Sequence, residues 1–220
     1  MSLIVYELIS LPMDRIPRFL PLLLATGVLA GAVGIWSASQ LLESSATANM
    51  PEFRAATVFP GRRSLPELQL VDQDGQLFTQ ERLTGHWTLV FMGFTSCGHV
   101  CPMTMAKMRA IAGEMGGSVD VLFVSVDPDR DSPAVIRDYV KAFDEDFTGV
   151  TGAPEQIDAL ANTLGAPYFV DTTAGAYTVD HSTALFIIDP EGAYTGVISA
   201  PHDVSAIVSD LRILLDRSPT

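Results

Sequence analysis

Two apolar runs of strand length, Trp87 to Phe94 (WTLVFMGF) and Val119 to Val126 (VDVLFVSV), decide the fold class. Neither shows the strict alternation of a strand with one wet face, and each is short for a helix. Each is therefore predicted to be a strand covered on both sides. Such strands need one layer of structure above the sheet and another below. Between the two runs, Met105, Met108, Ile111, Ala112 and Met115 recur at helical spacing from Pro102 to a Gly116-Gly117 stop. That helix is a crossover, and it makes the two strands parallel neighbours.

The rest of the pattern extends this unit. Leu68 to Val71 is a short strand entering the turn Asp72 to Gly75. Ser132-Pro133 supplies an N-cap and an N1 proline for a helix with Ile136, Tyr139, Val140 and Phe143 on one face. Pro154 opens another helix, apolar at Ile157, Leu160, Ala161 and Leu164 and stopped by Gly165. Thr183 to Ile188, the turn Asp189 to Gly192 and Ala193 to Ile198 form a β-hairpin, and Val204 to Leu215 carries the stripe of a closing helix. The order β–α–β–α–(α)–β–β–α predicts an α/β, thioredoxin-like three-layer sandwich. Its domain is placed at residues 65–220, after a polar linker at 43–64.

Ahead of the linker, Phe19 to Leu42 contains no charged residue. Its length as a helix, roughly 36 Å, exceeds a hydrocarbon core of about 30 Å. Arg15 and Arg18 precede it, Glu43 follows it and Trp36 lies near its far end. Residues 1–18 are accordingly expected in the cytoplasm, 19–42 as a transmembrane anchor and the domain outside. A cleaved signal ending near Ala46-Thr47-Ala48 is the competing reading, and it exports the domain equally. Arginine far outnumbers lysine, which hints at a GC-rich bacterium. A net charge of −13 with no basic run excludes a nucleic-acid surface.

Cys97 and Cys101 are the only cysteines, so no disulfide scaffold exists. They fall where the first central strand gives way to its helix, in Thr95-Ser-Cys-Gly-His-Val-Cys-Pro102. Four residues of separation put both sulfurs on one helical turn, near enough to share a metal or form a disulfide. The helix N-terminus favours thiolate, which either chemistry needs. Two thiolates suit soft Cu(I), whereas structural zinc normally takes four ligands. A third donor must come from elsewhere, with His86, His99, His181 and His202 as candidates. His181, in the segment before the Thr183 to Ile188 strand, is the best placed. Asp180 could order that segment or sit at the surface. Asp127, Arg130 and Asp131 after the second strand suggest a local ion pair. Met92, Met103, Met105 and Met108 are placed by their spacing in the core, with an auxiliary metal contact second.

Several stretches give a more specific likeness: Phe91 to Cys97 (FMGFTSC) with Cys101-Pro102, Val124 to Pro133 (VSVDPDRDSP), Val150-Thr-Gly152, Val179 to Ser182 (VDHS), and Asp189 to Gly192 (DPEG). In this order, over about residues 65–215, the chain resembles the SCO/SenC family of copper chaperones for cytochrome c oxidase assembly. That resemblance implies one copper, as Cu(I) or Cu(II), bound by Cys97, Cys101 and His181. It also implies a copper donor protein, an acceptor in oxidase subunit II or a related copper protein, and a periplasmic domain anchored in the bacterial inner membrane. The chain departs from the family at Gly98-His99, where Pro-Asp is common. An imidazole there could add a donor, shift the thiol chemistry or face solvent.

The leading expectation is a metallochaperone and not an enzyme. The alternative is an exported thiol–disulfide oxidoreductase using Cys97 and Cys101 as its redox pair. A thiol peroxidase is a third reading, requiring rapid peroxide consumption.

Overall fold

The computed structural model of the chain describes residues 27–37, 52–171 and 177–217. They belong to two compact units divided after Pro51. In the first unit, residues 27–37 form a helix with Val28, Leu29, Val33, Ile35 and Trp36 exposed. The flanking parts of the expected anchor at 19–42 lie outside the described residues, as do 1–18 and 38–51. Among the described residues, no helix is long and apolar enough to cross a membrane.

The second unit is built on the two runs that open the sequence argument. They form β4 (Trp87–Gly93) and β5 (Val119–Ser125), parallel neighbours in continuous register from Trp87 opposite Val119 to Gly93 opposite Ser125. The sheet has eight strands in the order β1-β10-β9-β4-β5-β6-β2-β3. Here β1 is Ala56–Ser64, β2 Leu70–Asp72, β3 Leu77–Phe78, β6 Thr148–Thr151, β9 Leu185–Ile188 and β10 Ala193–Ile198. Among the described residues, only the β4–β5 and β5–β6 pairs are parallel. A separate antiparallel pair joins β7 (Tyr168–Asp171) to β8 (Thr178–His181).

Period-two geometry explains why β4 has no polar side. Leu89 and Phe91 enter one core with α1 (Val100–Met115), α2 (Pro133–Lys141) and α4 (Val204–Arg217). Val90 and Met92 enter the opposite core with α3 (Pro154–Leu164) and Leu65, Leu68 and Leu70. The sandwich therefore has the three predicted layers. Gly116 and Gly165 close α1 and α3 in left-handed conformation, and the Ser132 hydroxyl accepts from the Val135 N–H at the start of α2.

Five strands depart from the sequence reading, among them the two-residue β3, which pairs with β2 outside any apolar run the pattern singles out. Residues 56–64, assigned to the linker, form β1 against β10. Pro60 and Gly61 obscure it, and the sheet tolerates them because β1 is an edge strand whose register shifts between Val58 and Arg63. Strand β6 is only four residues long and has Gly149 inside it. A Cβ at Gly149 would collide with Ile136 and Val140 of α2, so a strand-weakening residue is required there by packing. Strands β7 and β8 are short and half-exposed, and the segment holding His181 is thus a strand end rather than a loop.

Candidate metal centre

At the end of β4 the chain turns, and the Cys97 N–H donates to the Phe94 carbonyl at 3.3 Å. Helix α1 begins without a side-chain cap from His99. The Cys101 N–H instead donates to the Cys97 sulfur at 3.4 Å, so a thiol occupies a place usually taken by a capping oxygen. Burial pushes the half-buried Cys97 thiol up, but the N–H groups of Cys101, His99 and Val100 and the Cys101 thiol outweigh it. Cys97 is held below the ordinary cysteine value. Cys101 is buried, and burial pushes its thiol far up, with the adjacent Cys97 sulfur adding to the rise. Both cysteines are free.

His181 completes the group. Its Nε2 lies 3.1 Å from the Cys101 sulfur, and its Nδ1 lies 2.8 Å from the Ser182 carbonyl oxygen. A carbonyl only accepts, so Nδ1 carries the proton and Nε2 faces the cysteines with its lone pair. The ring is packed edge-on against Phe91 at 5.8 Å and Phe94 at 5.7 Å between centroids. One donor atom from each of Cys97, Cys101 and His181 lies within 4.8 Å of the others. Two sulfurs and an imidazole nitrogen in this arrangement are positioned to bind a soft metal, and two thiols on one turn can also exchange with a disulfide.

The surrounding residues fix this geometry. A Cβ on Gly93 would stand 3.1 Å from the Cys101 sulfur and 3.1 Å from the Phe91 ring, so a glycine here lets Cys101 and Phe91 pack against the strand end without giving way by a few tenths of an ångström. The fully buried Asp131 carboxylate accepts from the Thr95 N–H at 2.9 Å, the Thr95 hydroxyl at 2.6 Å and the Ser125 hydroxyl at 2.6 Å. Asp127 pairs with Arg130 at 2.5 Å and accepts from the Tyr177 hydroxyl at 2.6 Å. That hydrogen bond pushes the Tyr177 phenol up to about 12. The Arg130 guanidinium also lies 3.6 Å over the Tyr177 ring. One loop after β5 thus grips the chain on both sides of the donor group: Thr95 before Cys97 and Tyr177 before His181.

Asp127 and Arg130 make the ion pair that the sequence suggests, while Asp131 serves the cysteine turn instead. The parts played by Gly93, Thr95 and Tyr177 have no sequence signal beyond a glycine inside an apolar strand. Tyr139 is a further omission. Its hydroxyl is buried without a hydrogen-bond partner among the described residues, and burial, then the charges of Cys101 and Cys97, push it up, keeping it neutral.

The other candidate donors lie elsewhere. His86 is exposed just before β4, at the opposite end of that strand from Cys97. His99 is exposed and His202 buried, and neither joins the three-donor group. Asp180 is exposed on β8. Met92, Met105 and Met108 are core residues, whereas Met103 is 52% exposed.

Comparison with known proteins follows the same outline. A family model described as SCO1/SenC matches residues 61–216. A Stutzerimonas stutzeri protein named for copper binding is 35% identical over 164 residues, covering 72% of this chain and 80% of that protein. The mitochondrial SCO1 homolog 1 of Arabidopsis thaliana is 34% identical over 143 residues, 63% of this chain but only 43% of that relative. The crystal structure of Arabidopsis thaliana ScoI with copper bound superposes with a TM-score of 0.62 at 31% identity, covering 67% of this chain and 98% of that one.

Proposed function

The chain belongs to the SCO1/SenC family, and from that premise we propose that it is a membrane-anchored carrier of copper. The observation that carries the reading is the meeting of His181 Nε2 with the Cys101 sulfur while Nδ1 is committed to the Ser182 carbonyl. Copper is the cargo, held one per chain by the Cys97 and Cys101 sulfurs and His181 Nε2. Soft sulfur donors favour Cu(I), and the imidazole also suits Cu(II). The copper found in a relative of the same fold supports this assignment.

In this reading Cys97 meets the metal first, because it is the more exposed thiol and the one already inclined to thiolate. Cys101 gives up its proton as it joins, so loading releases protons and tightens as pH rises. The phenylalanine rings and Asp131 keep the donors in place before the metal arrives. Residues 19–42 anchor the carrier in a bacterial inner membrane with the domain in the periplasm. A copper donor protein loads it, and the recipient is the binuclear copper site of cytochrome c oxidase subunit II or a related copper protein.

The unequal thiols favour one second reading, a reductase of partner cysteines. There the Cys97 thiolate would attack a partner disulfide, Cys101 would resolve the mixed disulfide, and a Cys97–Cys101 disulfide would replace the one reduced. An anaerobic Cu(I) competition titration separates the two. One tight copper per chain is expected. His181→Ala should weaken it by at least about tenfold and Cys97→Ser should abolish it. Absence of copper binding above the competitor, with disulfide exchange intact and indifferent to His181→Ala, would leave only the reductase.

A further inference from the structure

The domain leaves few large apolar side chains in water, and most of them stand beside the metal centre. Leu77, Val100, Met103, Val135 and Phe169 are the exposed ones among its described residues. Three of these five line two clefts that meet at Ser182-Thr183, the segment just after His181. One cleft, of about 270 Å³, has Val100 and Met103 of α1 on one side and Thr183, Ala200 and Pro201 on the other. The second, of about 400 Å³, is bounded by Pro167, Phe169, Asp180, His181 and Ser182. Exposed apolar side chains gathered at one end of a molecule mark a contact surface.

Local geometry explains why these side chains face outward. Helix α1 sends Cys101, Met105 and Met108 into the core. Val100, Met103 and Lys107, spaced three and four residues apart, form its outer stripe. On the hairpin, Phe169 is paired with Asp180 and Tyr168 with His181. Side chains alternate along a strand, so Phe169 and Asp180 share the face opposite to His181. The two clefts also differ in charge. The chain has 26 acidic residues against 13 basic, yet no acid lines the α1 cleft, whose permanent charge is the Lys107 ammonium. In the second cleft that charge is the Asp180 carboxylate. Neither group makes an ion pair among the described residues.

We propose that the two clefts form one docking face for a folded protein that exchanges copper with this chain. Such a partner presents apolar side chains to Val100, Met103 and Phe169, a carboxylate to Lys107 and a cation to Asp180. The proposal rests on the reading of the chain as a copper carrier and names the surface through which its cargo passes. The donors belong to the elements that form the clefts, Cys101 to α1 and His181 to β8. A partner seated there brings its own ligands up to the half-buried Cys97 sulfur. Copper then changes hands by ligand exchange without change of oxidation state, and the freed thiolates take protons from solvent. The apolar contacts hold the pair together, while unlike charges at the two ends fix its orientation. A second copy on the same face would cover Cys97 in both molecules and leave the cargo no exit.

The test loads the full chain with Cu(I) under anaerobic conditions and follows transfer by stopped flow to two acceptors. One is the soluble domain of cytochrome c oxidase subunit II, the other a small Cu(I) chelator. Met103→Ser and Phe169→Ser should each slow transfer to the protein by at least about fivefold. Transfer to the chelator and Cu(I) affinity should stay unchanged. Lys107→Glu should slow the protein reaction at low salt and flatten its salt dependence. Transfer to the protein indifferent to all three variants would overturn the proposal, as would equal slowing toward both acceptors, which places the effect at the copper ligands. Sedimentation in which the serine variants lose self-association but keep their transfer rate would assign the face to a second copy instead. An unaltered chain that takes up no Cu(I) sinks the carrier reading and this face with it, whereas a loaded chain indifferent to the variants sinks only the docking face.

Discussion

Cys97 and Cys101 occupy the same helical turn yet differ in their hold on a proton, because one faces the N–H groups of α1 and the other is sunk in the core. An unperturbed cysteine loses its proton near pH 8.5. The alkylation rate of Cys97 by iodoacetamide should reach half its maximum below that pH, and that of Cys101 above it. Peptide mapping across a pH series measures both, and equal profiles would show that the helix start does not discriminate between the thiols. Gly93 tests the other side of Cys101. In Gly93→Ala the added methyl must push on the Cys101 sulfur and on the Phe91 and Phe123 rings. Overpacking of this kind costs about 1–3 kcal/mol. The expected outcome is a folded protein with a lower midpoint in urea and weaker Cu(I) retention. An alanine variant with unchanged affinity would mean that Cys101 has room to move.

At the scale of elements, the loop after β5 acts as a clamp that neither strand nor helix could supply alone. Asp131→Ala would leave the Thr95 N–H and the Ser125 hydroxyl without their acceptor, at about 1–3 kcal/mol for each buried group. Copper affinity should fall roughly 10–100-fold, the range seen when partners of metal ligands are removed. Thermal melting and Cu(I) competition on the same sample check both halves, and Asp131→Asn should recover part of each by restoring one acceptor. This clamp also shows where sequence reasoning stops. Strands β4 and β5 were legible because burial on both faces leaves an uninterrupted apolar run, and α1 because its buried side repeats every three to four residues. Strands β1 and β6 were not, since Pro60, Gly61 and Gly149 carry a local signal for turns that an edge bulge and a tight helix contact override. Likewise Cys97, Cys101 and His181 could be named from chemistry and motif. The contacts of Asp131 with Thr95 and of Asp127 with Tyr177 could not, since each joins residues 36 and 50 positions apart with no periodic trace.

The whole domain is closed by a contact between its two ends. Asp210 on α4 is fully buried and accepts from the backbone N–H groups of Arg54, Ala55 and Ala56 at 2.7–3.0 Å. Strand β1 continues from there along β10, covering what would otherwise be an open sheet edge. These contacts decide where the folding unit begins. A fragment of residues 52–220 retains β1 and its tie to Asp210, while one starting at residue 65, where sequence patterning places the domain, lacks both. In the shorter fragment a buried carboxylate has lost its donors, which costs about 3 kcal/mol. That loss corresponds to a drop of roughly 6–12 °C in melting temperature for a domain of this size. The exposed β10 edge should also promote self-association at high concentration. Calorimetry and size-exclusion chromatography on the two fragments measure these effects, and Asp210→Asn in the longer one should lower its midpoint without opening the edge. Equal melting of both fragments would make β1 an appendage. A lowered midpoint with association only in the shorter fragment would make β1 part of the domain, holding in place the sheet that carries the cysteine turn.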